Sequence, residues 1–315
     1  MIYVEILGRI GNQMFSYAFA RYLQEKLPNQ KMPIAFDFSN FSFTEKDKNS
    51  LKKFKCYSNI TESKRKCSFI QRILLKLYFS RKNRLLNKSE REVYNLEKKW
   101  QNLLNIFGIY LCSFNYKNFK FRPLTKNILL LGYFESAQFF NSIKSQIIDD
   151  FSISPEYFNQ YAKELISDIQ KNNSVCVGIR KGDFESSENH KYCSVCDVSY
   201  YLKAIKKMNE LLCGKIVRYY FFSDDPNWVK QHIKLPENSS IIGDDKIDFD
   251  IKLIIMSKCK HFIISNSTYV WWAQYISQYP NKYVIAPDRW RNFTQEMHRD
   301  IYMSDGDDWT LIHIN

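Results

Sequence analysis

Two hydrophobic periods alternate along this chain. Short apolar runs with β-branched residues mark strands at 2–7, 33–38, 109–114 and 128–134, and again at 175–180, 215–223, 240–242, 261–265 and 282–286. Between them, apolar residues recur every three or four positions. That spacing predicts helices over 14–26 (Phe15, Ala18, Phe19, Tyr22, Leu23), 68–84, 89–107, 136–151, 155–170, 198–213, 248–258 and 269–278. Residues 39–66 are polar, basic and without clear period, and read as loop. Strand and helix alternating in this order imply parallel sheets with helices on both faces. At 315 residues the chain exceeds what one core usually serves. The expectation is α/β, with two facing Rossmann-like domains. They comprise 1–152, with a basic, partly helical insertion at about 46–107, and 153–315, which includes a C-terminal tail.

In a doubly wound sheet, ligands bind beyond the carboxyl ends of the strands. Three strand ends of the second half carry polar groups there. Arg180, Lys181, Gly182 and Asp183 follow the first; Ser223, Asp224 and Asp225 follow the second. Ser265, Asn266, Ser267 and Thr268 follow a third and open the helix that carries Trp271 and Trp272. A guanidinium is a planar, permanently charged fork for phosphate oxygens. A hydroxyl-rich helix start adds free N–H groups and a positive dipole end. Together they suit a nucleoside diphosphate, with the carboxylates available to a nucleoside. Each set also has a plainer reading, as a charged turn, a pre-proline turn and an N-cap. In the first half, Gly8-Arg9-Ile10-Gly11 is a tight strand-to-helix turn, weak as a dinucleotide fingerprint.

Charge changes the picture in one place. The net charge is +13, and residues 46–91 hold fifteen Lys or Arg against three acids, a local +12. Within it, Ile70, Ile73, Leu74, Leu77 and Tyr78 share a helical face amid Arg72, Lys76, Arg81, Lys82 and Arg84. Such a helix either lies on an anionic membrane surface or packs on its own domain with a solvated basic face. A nucleic-acid-binding alternative would use the interleaved Phe54, Tyr57, Phe69, Tyr78 and Phe79 for stacking, but no RNA-binding motif accompanies them. No apolar run reaches the ~20 residues of a membrane span, and Met1 to Leu7 lacks a signal peptide's basic start. The chain reads as cytoplasmic. Eight cysteines, several inside predicted elements, read as buried thiols, and the lone Cys193-x-x-Cys196 lacks a second pair for zinc. The triplets Asp248-Phe249-Asp250 and Asp305-Gly306-Asp307 read as helix-start and tail-turn charge, so no metal is expected.

The segment from Gly8 to Ala18, G-R-I-G-N-Q-M-F-S-Y-A, resembles the G-G-L-G-N-Q-M-F-Q-Y-A opening of the α-1,2-fucosyltransferases. Gly178 to Phe184 is similar to that family's H-x-R-R-G-D-Y, and Phe222 to Trp228 matches F-S-D-D-x-x-W. Leu253 to Trp272 is similar to its L-M-S-L-C-K-H-x-I-I-A-N-S-S-F-S-W-W block, and Ala286, Pro287 and Trp290 fit the family segment after that block. The resemblance spans 2–27 and 175–290 in order. It implies a GT-B type glycosyltransferase, inverting and metal-independent, with no cofactor. The implied donor is GDP-fucose. The implied acceptor is the 2-hydroxyl of a galactose-terminated glycan; the basic segment, by binding anionic lipid, would set the chain at the inner membrane surface near a lipid-linked acceptor.

By the same resemblance Arg180 holds the diphosphate and stabilises the leaving charge, with Lys181 beside it. Asn266, Ser267 and Thr268 bind the donor from the helix start, Asp224 helps hold the nucleoside, and Asn12 faces the transfer site. Asp183 is a candidate base, as is Glu185, and the departing phosphate could itself serve. Two positions depart from the motif: Gly178 replaces its His and Lys181 its second Arg. The first leaves open another donor sugar or linkage; the second keeps the charge but loses the fork.

Overall fold

The computed structural model describes all residues except 28–31, 46, 86–88, 114, 183–189, 244–245, 293–299, 303–308 and 315. The chain divides into two compact units. One comprises Met1–Ser152 with Gln295–Asp305, the other Ile153–Thr294 with Gly306–Asn315.

The first unit is built on five parallel strands: β1 (Ile2–Glu5), β2 (Ile34–Asp37), β3 (Ile60–Glu62), β4 (Ile109–Cys112) and β5 (Ile128–Gly132), in the order β3-β2-β1-β5-β4. The Ile60–Glu62 edge strand lies in the stretch that reads as loop. Its pattern is one buried residue followed by two exposed ones, too short to show a period. Helix α1 (Ile10–Lys26) follows β1 and begins four residues before the sequence expectation, because Gln13 fastens its first turn. The Gln13 side chain donates to the carbonyls of Gly8 and Asp47, both at 3.0 Å, and accepts from the Ser50 amide at 2.8 Å. Helix α1 is buried nearly all round. Its outer side meets an aromatic layer in which Phe19 stacks on Phe134 at 4.3 Å and meets Phe139 edge-on at 4.8 Å. The expected single helix over 136–151 is two short 3-10 turns and then α4 (Lys144–Asp150). Phe139 packs on Phe19 and Phe140 on Phe15, two directions that one continuous helical face does not serve. Helices α2 (Phe69–Asn83) and α3 (Glu90–Ile106) cover the sheet through Leu74, Tyr78 and Leu104. Both start with a capping box, Ser68 with Gln71 and Ser89 with Glu92.

The second unit holds six parallel strands: β6 (Ser174–Ile179), β7 (Arg218–Ser223), β8 (Ser239–Ile242), β9 (His261–Ile263), β10 (Val284–Pro287) and β11 (Trp309–Ile312). Their order is β11-β10-β9-β6-β7-β8. Numbered within the unit this is 6-5-4-1-2-3, the doubly wound Rossmann order read from its other edge, with the topological switch between β6 and β9. The tail thus supplies an edge strand, Trp309–Ile312 pairing in register with Val284–Pro287. Its pattern is mostly half-buried, which hides it from a sequence reading. The connecting helices are α5 (Gln160–Lys171), α6 (His190–Cys193), α7 (Val198–Leu211), α8 (Pro226–His232), α9 (Phe249–Met256) and α10 (Thr268–Ile276). Helix α5 starts at Gln160 rather than Pro155, where the Asn159 side chain caps it by accepting from the Ala162 amide at 2.8 Å. One face of the sheet packs against α7 through Val175, Val177, Phe221, Ile263 and Ile285, with Tyr201, Ala204 and Met208 opposite. The fold is α/β with two parallel sheets.

Candidate functional site

The ends of β6, β7 and β9 come together in the second unit on either side of its switch point. Arg180 lies just past β6, partly exposed, and its Nη1 is 3.0 Å from Asp224 Oδ2. The other oxygen of Asp224 accepts from the Lys181 amide at 2.9 Å. Asp224 therefore clasps the end of β6 and fixes the guanidinium. Gly182 makes this fit, since a Cβ there would stand 2.5 Å from Asp224 Oδ2. Lys181 turns inward, with Nζ 4.1 Å above the Trp228 ring, so the indole face holds the ammonium in place of the second motif Arg. Asp225 caps α8 by accepting from the Trp228 amide at 2.9 Å, and the Ser223 hydroxyl accepts from the Asp225 amide. Of the two adjacent acids, one orients the cation and the other starts the helix that carries Trp228.

Across the switch point, Ser267 stands at the N-cap position of α10 without a capping side-chain bond, and Thr268 is the first residue, both partly exposed. This is a hydroxyl-bearing helix start, at the positive end of the helix dipole. Asn266 is buried. Its Nδ2 donates to the Cys193 carbonyl at 3.0 Å and the Trp290 carbonyl at 2.9 Å, so it ties two loops to the site.

Gly178 sits in β6 directly under α10. A Cβ there would be 2.4 Å from Val270 Cγ2 and 2.8 Å from Val270 Cβ. The space a motif His would occupy is thus taken by a helix side chain.

One member of the site escapes the sequence reading. Lys252 is buried on α9, and burial pulls its ammonium down to about 8 against the opposing field of Asp224. The signal was present, because Lys252 interrupts Ile251, Leu253, Ile254 and Ile255 on a helix buried all round. Its interaction with Asp224 sets a third cation near Arg180 and Lys181, groups that attract a phosphate.

Asp183 and Glu185 lie outside the described residues, as does the Asp305-Gly306-Asp307 triplet. Asn12 belongs to the first unit, in the first turn of α1, where its side chain crosses Gly8 so closely that a Cβ on Gly8 would meet Asn12 Nδ2 at 2.2 Å. The cysteines are free thiols, and burial raises that of Cys196 to about 12. The base-stacking alternative loses two of its aromatics, since Phe54 and Tyr78 are buried.

Residues 1–312 match Glycosyl transferase family 11. The chain belongs to that family. The family-11 chain is 28% identical over 306 residues to the O-antigen biosynthesis glycosyltransferase WbnK of Escherichia coli, covering 92% of this chain and 94% of that protein. An alpha-1,2-colitosyltransferase of Escherichia coli is 29% identical over 171 residues, 52% of this chain and 56% of the relative. In fold, the chain is similar to the fucosyltransferase NodZ from Bradyrhizobium, with a TM-score of 0.50 at 12% identity over 87% of this chain and 91% of that one. The family-11 chain is a glycosyltransferase with a GT-B type fold.

Proposed function

We propose that this enzyme transfers L-fucose from GDP-fucose to the 2-hydroxyl of a galactoside, with inversion and without a metal, in synthesis of a surface glycan such as O-antigen. The observation that carries the reading is the Arg180 fork, clasped by Asp224 at the β6 end beside the N-terminus of α10. The relatives support its class. One is named for O-antigen biosynthesis and another for α-1,2 transfer.

The chemistry asks for this arrangement. As the bond between sugar and diphosphate breaks, the sugar becomes oxocarbenium-like and the leaving diphosphate gains negative charge. Groups fixed in advance at the diphosphate stabilise that state more than the ground state. Arg180, Lys181 and the start of α10 supply such groups, and Lys252 adds charge from behind. In this reading side-chain cations take the part a metal plays elsewhere. Removing one such donor typically costs about 10²–10³ in rate. The acceptor hydroxyl must lose a proton as it attacks from the opposite face, and we assign that proton to Asp183. Asp183→Asn tests the assignment, and Asn12→Ala tests the transfer-site role that the family opening implies. We place the reaction in the cytoplasm, at the inner membrane surface if the acceptor is lipid-linked.

A thermal-shift series with GDP, UDP, CMP and NAD in EDTA, on the parent and on Arg180→Ala, tests the donor class. Ligand at about 100 times Kd adds about 2.7 kcal/mol. Stabilisation by GDP alone, lost in Arg180→Ala, is expected; a response to UDP or NAD, or one that needs a divalent cation, rejects the reading. Product analysis by NMR after incubation with GDP-fucose and β-galactosides then reads linkage and anomeric configuration. A different donor sugar is the second reading. The colitosyltransferase relative and the Gly178–Val270 packing, which closes the place of the motif His, both favour testing it.

A further inference from the structure

Helix α2 carries two apolar faces, and only one of them is used by the protein. Gln71, Leu74 and Tyr78 are buried against the first unit. Ile70, Ile73 and Leu77, which the sequence places on the same side, stand in water. Phe69 is 78% exposed, Ile70 48%, Ile73 43% and Leu77 45%. At 3.6 residues per turn these four side chains fill rather more than a quarter of the helix circumference along about 12 Å. Such a contiguous exposed stripe marks an interaction surface.

The flanks of the stripe are cationic. Arg72 and Lys76 border it on one side and Arg81 on the other; Lys66 precedes it and Arg84 follows it, all exposed. Helix α2 contains no acid. The same end of the unit adds exposed Leu124 and Ile106. They are brought there because Gln71 Nε2 donates to the Phe107 and Asn127 carbonyls at 2.8 and 2.9 Å, and the Leu124 amide to the Ile106 carbonyl at 2.8 Å.

We propose that α2 is an in-plane membrane-docking helix. Phe69, Ile73 and Leu77 enter the headgroup–acyl boundary of an anionic bilayer, while Lys66, Arg72, Lys76 and Arg81 engage lipid phosphates. The stripe is a ridge on a single helix with cations on both flanks. That is the geometry in which an apolar face sinks about 5–10 Å and long basic side chains stay at phosphate level. A second copy of the chain fits poorly, because an isologous contact would set one +12 segment against another. The helix is long enough to lie on a bilayer, and no described helix is long and apolar enough to cross one. Docking would hold the enzyme where a lipid-linked acceptor is presented, a consequence that rests on the proposed reaction; the docking itself does not.

The test is co-sedimentation of the full chain with phosphatidylcholine vesicles, with and without phosphatidylglycerol. The parent is expected to bind only the anionic vesicles and to release at high salt. Arg72→Gln/Lys76→Gln should weaken partition about 25-fold, from about fivefold per cation near the surface. Phe69→Ser/Ile73→Ser/Leu77→Ser should weaken it at least about tenfold. Both variants should keep the parent's thermal transition and GDP response, which separates this proposal from the donor reading. The proposal is overturned if the parent does not sediment with anionic vesicles, or if the triple variant sediments as the parent does. It is equally overturned if the parent is a dimer in solution that the triple variant makes monomeric, since the stripe would then belong to a second copy.

Discussion

Adding one methyl group at Gly178 should damage both stability and donor binding, and the reason can be worked from distances. In Gly178→Ala the new Cβ would lie 2.4 Å from Val270 Cγ2 and 2.8 Å from Val270 Cβ. Ordinary carbon contacts are about 3.5–4.0 Å. Rotating Val270 cannot relieve the contact with its own Cβ, so α10 must retreat by about 1 Å from β6. Overpacking of this kind costs typically about 1–3 kcal/mol. Val270→Ala alone removes two buried methyl groups, about 1.6 kcal/mol by transfer. In the double variant the 2.4 Å contact with Cγ2 is gone while the 2.8 Å contact with Cβ stays, so the relief is partial and the two costs should fall short of their sum by about 1 kcal/mol. Urea unfolding followed by tryptophan fluorescence is the assay, since five of the six tryptophans, Trp271 and Trp272 among them, lie in this unit. GDP affinity measured on the same four proteins should fall in Gly178→Ala and recover in part in the double variant, because α10 starts with Ser267 and Thr268. Costs that add within about 0.5 kcal/mol, or an undisturbed GDP affinity in Gly178→Ala, would refute the packing argument.

Other outcomes rest on named contacts. Asp224→Asn keeps the shape but removes the charge that orients Arg180 and should weaken GDP binding about tenfold or more, read by calorimetry. Lys252 loses its proton near pH 8, so GDP affinity in the parent should decline as pH rises through that value, and Lys252→Met should flatten the profile. Burial lowers His261 to about 4, and its Nδ1 accepts from the Tyr283 amide. The unfolded chain binds that proton at about 6.5 and the folded one does not, so stability is lost as pH falls from 6.5 to 4. The loss is up to about 3 kcal/mol, and His261→Gln should remove this part of the acid limb. Glu97 and Lys117 form a buried ion pair, so Glu97→Gln should cost about 3–5 kcal/mol in unfolding experiments on the first unit.

The parallel architecture was legible because each buried strand of the second unit is a short apolar run ending in polar residues. The strand ends were legible for the same reason, since Arg180, Asp224 and Ser267 each follow such a run. Partnership was not legible. Nothing in Ser223-Asp224-Asp225 says that Asp224 would clasp Arg180 while Asp225 caps a helix, because that depends on the register that pairs Ile179 with Ser223. Asn266 was legible as a polar residue at a helix start but not as a tether for the Cys193 and Trp290 carbonyls. Gly178 was visible as a departure from the motif, and only the neighbouring helix gives its cause. Helix α2 shows the limit of periodicity most plainly. Its apolar residues were identified correctly, but the pattern cannot say how wide a stripe the protein itself will cover. Short edge strands such as β3 and β11 stay hidden because half-buried residues carry little period.

The pairing of β11 with β10 also sets an order of events during synthesis. Strand β10 is made by residue 287, but its outer neighbour does not exist until residues 309–312 have left the ribosome. A chain that stops before residue 309 exposes the ladder groups of Val284, Ile285 and Ala286, a buried apolar run without its edge cover. Unpaired strands of this kind recruit other chains. A stop codon in this stretch would therefore produce a protein with its strand ends intact and a permanently adhesive edge.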